Sequence, residues 1–60
     1  MLVEILMNRD GYSIDEALSR INEAKEALND YLNEGDFDSA MYVPSEYLGL
    51  EPDYVMELIS

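Results

Sequence analysis

Ile14, Ile21 and Leu28 recur every seventh residue, and Ala17, Ala24 and Tyr31 follow them three places on. In a chain of 60 residues no other feature narrows the fold as much. Apolar residues stepped by three and four form one stripe on a helix and cannot share one face of a strand. Leu18 and Leu32 stand beside the stripe. Ser13-Ile14-Asp15-Glu16 precedes it as a capping box, in which the Ser13 hydroxyl and the Glu16 carboxylate satisfy backbone donors that the first turn leaves unpaired. Gly35 closes it. The pattern predicts a helix from Ser13 to Glu34 of roughly 20 residues, about 30 Å long. Its two alanines allow another helix to approach closely. That helix is either another part of the same chain or a second copy, with Ile14, Ala17, Ile21, Ala24, Leu28 and Tyr31 as the self-association seam.

The remaining residues read as shorter helices. Leu2, Ile5, Leu6 and Arg9 have helical spacing, widened by Val3 and Met7, although a strand over Leu2–Met7 is also compatible with the pattern. Asp10-Gly11 ends that element. Asp36-Phe37-Asp38-Ser39-Ala40-Met41-Tyr42 predicts two helical turns with Asp36 as N-cap and Asp38 in the first turn. Pro44 stops them and opens a further turn through Leu48, which Gly49 closes. The last element starts at Pro52 and places Tyr54, Val55, Leu58 and Ile59 on one face. The expectation is a single all-α domain over residues 1–60, with one long central helix and two to three short helices packed on it. Phe37, Tyr31 and Tyr54 are expected to face inward, and Tyr42 and Tyr47, on either side of Pro44, to be exposed.

Charge narrows the function. Fourteen acids against three bases give a net charge of −11, with no His and no Cys. Residues 1–25 hold five acids and all three bases, Arg9, Arg20 and Lys25, whereas residues 26–60 hold nine acids and no base. Phosphate backbones and anionic membranes need Lys and Arg to displace counterions, so neither direct nucleic-acid binding nor membrane binding is expected. A basic protein is the natural partner. No apolar run, Ile5-Leu6-Met7 included, exceeds four residues, and no basic segment leads into a continuous apolar one at the start, which points to the cytoplasm.

Arg9-Asp10-Gly11-Tyr12-Ser13-Ile14-Asp15-Glu16-Ala17, Gly35-Asp36-Phe37-Asp38 and Tyr47-Leu48-Gly49-Leu50-Glu51-Pro52-Asp53-Tyr54 together resemble a family of short acidic proteins of bacteriophages and bacterial mobile elements. The resemblance spans nearly the whole chain through capping and turn motifs. It implies a genomic setting inside a bacterial host, with no assigned activity. Val43-Pro44 here interrupts a stretch that is a continuous acidic helix in that family.

Other chemistry finds little material. Asn8-Arg9-Asp10-Gly11 suggests a calcium loop, but placing Asp10-Gly11 at loop positions five and six puts Leu6 at position one and Ala17 at position twelve, neither of them a ligand. Asp30, Glu34, Asp36 and Asp38 read as a capped helix junction with solvated acids rather than as a cation site. A nucleophilic serine has only Lys25 as a non-carboxylate base, inside the long helix, and no cofactor is expected. The acidic row is more informative. Glu26, Asp30 and Glu34 stand four apart on one side of the long helix, where each repels the next and the last two oppose the helix dipole. With Asp36, Asp38 and Glu46, and with Tyr42 and Tyr47 as aromatic contacts, they form the expected partner-binding surface. The expected action is non-enzymatic inhibition of a basic host nucleic-acid-handling or defence protein, by carboxylates standing in for phosphates. Carboxylates four apart on a helix are about 6 Å apart, against about 3.4 Å per phosphate of one DNA strand, so one row alone is too sparse. The rival expectation is a small structural or assembly protein that pairs with itself as a homodimer.

Overall fold

The computed structural model describes residues 2–59; Met1 and Ser60, the ends of the expected domain, lie outside the described residues. The element order is α1 (Leu2–Asp10), α2 (Ile14–Asn33), α3 (Phe37–Met41), α4 (Val43–Leu48), a 3₁₀ turn (Pro52–Tyr54) and α5 (Val55–Ile59). No strand occurs among the described residues, so Leu2–Met7 is helical. The all-α expectation of one long helix carrying shorter ones describes the molecule.

Local chemistry sets the boundaries. At the start of α2 the Glu16 N–H donates to Ser13 Oγ at 3.2 Å, and the Ser13 N–H donates to Glu16 Oε1 at 3.3 Å. At its end Gly35 adopts φ 78°. The Asp36 N–H then reaches Tyr31 O at 2.9 Å and the Gly35 N–H reaches Leu32 O at 3.1 Å, a Schellman closure that needs a left-handed residue at its centre. α3 begins with Asp36 accepting from the Ser39 N–H at 3.2 Å and from the Ser39 hydroxyl at 2.7 Å. The break before α4 falls at Tyr42. Pro44 occupies the first turn of α4, where a missing N–H costs no helical bond.

The core is one thin layer between α2 and the helices laid on it. Leu2 and Leu6 of α1, Ala17, Ile21, Ala24 and Leu28 of α2, Ala40 of α3, Val43 and Leu48 of α4, and Val55 and Leu58 of α5 are buried. The molecule measures 34 × 18 × 18 Å, so the long helix sets its long dimension. Its surface of 4091 Å² is close to the ~4000 Å² expected of a compact monomer of this mass.

Three expectations are corrected. Ala17, Ile21, Ala24 and Leu28 do not form a free seam for a second copy; the chain's own helices bury them. Ile14, first in the repeat, is 54% exposed, and it is the first residue of α2, at the end of the packed layer. Phe37 is not buried but 64% exposed. A helix as short as α3 presents one residue to the core, and that residue is Ala40, which leaves Phe37 and Met41 on the outer flank. Ile59 is exposed for the same reason, with Val55 and Leu58 taking the inner positions of α5.

Candidate functional site

All nine acids after Lys25 are exposed. Asp36 turns its carboxylate to Ser39 and Glu57 is also engaged; the other seven carboxylates form no hydrogen bond or ion pair among the described residues. The described ion pair lies elsewhere, between Arg9 and Asp10. Of the remaining cations, Arg20 lies over the Tyr12 ring at 5.5 Å from its centroid. No cation of the first half balances the acidic end of the molecule through a described contact.

The expected partner-binding residues divide into two groups. Glu34 caps the C-terminal end of α2, Asp36 caps the N-terminus of α3, and Glu46 lies in the first turn of α4. The packing of α3 and α4 on α2 brings these three into electrostatic reach of the Tyr31 phenol, together with Tyr47. Their negative charge, with that of Glu46 foremost, and partial burial push the Tyr31 hydroxyl above its ordinary pKa. Tyr31 is therefore half-buried at the centre of an acidic junction. Glu26, Asp30, Asp38 and Tyr42 are exposed and are not among the groups that shift Tyr31. Glu26 precedes Glu34 by eight residues, about 12 Å along α2.

Tyr42 and Tyr47 are exposed as expected. Asp36 has a structural duty as well, since both its oxygens hold Ser39. Asp30, Glu34, Asp36 and Asp38 do not converge; among the described residues no three such groups are placed to hold a metal ion. No described helix is long and apolar enough to cross a membrane.

Two features escape a reading of the sequence. Arg9 donates from Nη2 to Leu48 O at 2.6 Å and from Nη1 to Gly49 O at 2.9 Å, and so ties the end of α1 to the end of α4. The other is the exposed pair Phe37 and Met41. Their spacing of four signals a shared face, but it does not signal which side of α3 packs inward.

No family model matches the chain, and no curated protein and no solved structure matches it at a significant level.

Proposed function

We propose that the chain acts without catalysis, by docking its acidic second half on a basic surface of another protein. In the bacterial setting that the motifs suggest, the target is a host nucleic-acid-handling or defence protein and the outcome is inhibition. One observation carries this reading: seven exposed carboxylates without a described hydrogen bond or ion pair, spread over α2, α3, α4 and the C-terminal segment. Solubility needs net charge, but it does not need charge placed where it opposes a helix. Asp30 sits in the last turn of α2 and Glu34 is its C-cap; no base occurs in that turn, and the dipole disfavours anions there. Asp36 and Glu46, which act with Glu34 on the Tyr31 phenol, add charge beside the sparse α2 row and support a reading in which carboxylates stand in for phosphates.

Affinity capture from a bacterial lysate at low and at moderate salt tests the reading. A basic protein should be retained at low salt, released at moderate salt, and lost by the combined variant Asp30→Asn, Glu34→Gln, Glu46→Gln. Retention that ignores both changes rules the proposal out. The self-pairing alternative is a dimer held by the apolar residues left outside the core, and light scattering separates the two.

A further inference from the structure

We infer that the outer face of α3, Phe37 with Met41, is the apolar anchor of this docking surface, and that its occupant is a basic amphipathic helix. The inference rests on the reading above that the acidic half meets a basic partner, and it specifies the form of that partner. Phe37 and Met41 stand four residues apart on α3, 64% and 53% exposed, and Tyr42 follows at 59%. Three large side chains within six residues are thus turned to water in a molecule whose core is thin.

Charge decides what covers them. Asp30, Glu34, Asp36 and Asp38 surround this segment in the chain, and no base occurs after Lys25. A second copy laid on α3 would bring the same acids against these, with no cation of its own half to answer them. Lys and Arg flanking an apolar stripe meet both demands. Of the exposed large apolar residues of α2, Ile14 and Leu18 lie instead in the half that holds all three cations, whereas Leu32 lies in the acidic half.

The spacing favours a helix as the occupant. Anchors one turn apart, about 6 Å along the axis, match the three- and four-residue steps of apolar positions on a facing helix. Met41 suits this task, because an unbranched thioether repacks against different side chains with little penalty. Aromatic anchors inside a charged rim are a common plan for protein interfaces. The carboxylates answer the basic groups of the partner, and Phe37 and Met41 add an apolar demand that a stripe on a basic helix meets.

The test uses the whole chain and a synthetic peptide of leucine and lysine, with leucines at steps of three and four and one replaced by tryptophan. The protein contains no tryptophan, so the emission reports the peptide alone. The control peptide has the same composition in an order that puts no stripe on any face. At about 0.15 M salt the striped peptide should bind at least about tenfold more tightly than the control, with a blue-shifted emission. Phe37→Ala should remove that advantage while circular dichroism stays unchanged, and Met41→Ser supplies a second variant on the same face. Equal binding of both peptides, untouched by either variant, overturns the anchor and leaves the acidic surface standing. Failure of both peptides to bind even at low salt overturns the acidic-surface reading as well. A stable dimer that Phe37→Ala converts to monomer assigns the face to a second copy and also overturns the inference.

Discussion

Arg9 shows how much one side chain carries in a body this small. Its guanidinium donates to both oxygens of Asp10, at 2.9 and 2.6 Å, while also reaching Leu48 O and Gly49 O. The last carbonyls of a short helix lack intrahelical partners, and Arg9 supplies donors to those of α4. Gly49 completes the arrangement at φ 65°, a conformation that a side chain disfavours. Arg9→Met should lower the thermal midpoint, followed by circular dichroism, more than Arg20→Met does, since Arg20 only covers a ring. The hydrogen bond from Arg9 holds the Asp10 carboxyl below its ordinary value. A folded-state pKa below the unfolded one adds stability above the unfolded value, and that contribution fades as pH falls through the folded one. The difference in midpoint between the protein and Asp10→Asn should therefore be present at neutral pH and vanish below the ordinary carboxylate range. Tyr31 follows the opposite rule. Its raised pKa adds stability below the ordinary tyrosine value and loses it as pH rises through the folded one. Glu46→Gln should bring forward one phenol's ionisation in an alkaline absorbance titration. Neither group's role could be read from the sequence, because Arg9 and Gly49 are 40 residues apart and Tyr31 meets Glu46 only after α4 has packed.

Helix punctuation, in contrast, was legible almost throughout. Ser13, Glu16, Gly35, Asp36, Pro44 and Gly49 act on backbone groups within a few residues of themselves, so their effect does not wait for tertiary structure. Ser13→Ala should cost about 1 kcal/mol of stability in urea unfolding through loss of the cap. What the pattern could not settle was the direction in which a five-residue helix faces. Phe37 outweighs Ala40 in apolar surface, yet docking on α2 selects the smaller residue and turns the larger one out. The acidic end of α2 raises a different issue, a conflict between fold and proposed function. Asp30 repels Glu26 and Glu34 and opposes the dipole, so Asp30→Lys should stabilise the chain by about 1 kcal/mol. The same substitution should weaken capture of a basic partner. A variant that gains stability and keeps its partner would show that the row serves neither.

For the whole molecule, net charge and core size act against each other. Among the described residues eleven apolar ones are buried, three of them alanine and two valine, which leaves little reserve in a domain of this length, and a charge of −11 works against compaction by self-repulsion. Burial in the core then decides how the chain tolerates damage. Leu28→Ala, with a typical cost of about 2–5 kcal/mol, should remove most or all of the stability, whereas Phe37→Ala should remove almost none. Salt gives the sharper test, because it acts on folding and on binding with opposite signs. Screening weakens repulsion among the acids, so the thermal midpoint should rise as salt increases from about 0.05 to 0.5 M. Over the same range, affinity for a basic partner should fall, since the same carboxylates provide the attraction. A midpoint that instead depends on protein concentration, and rises with it, would mean that association rather than screening supplies the missing stability. Opposite responses to salt, with a midpoint independent of concentration, are what a monomer would give when its uncompensated acids exist for a partner and not for the fold.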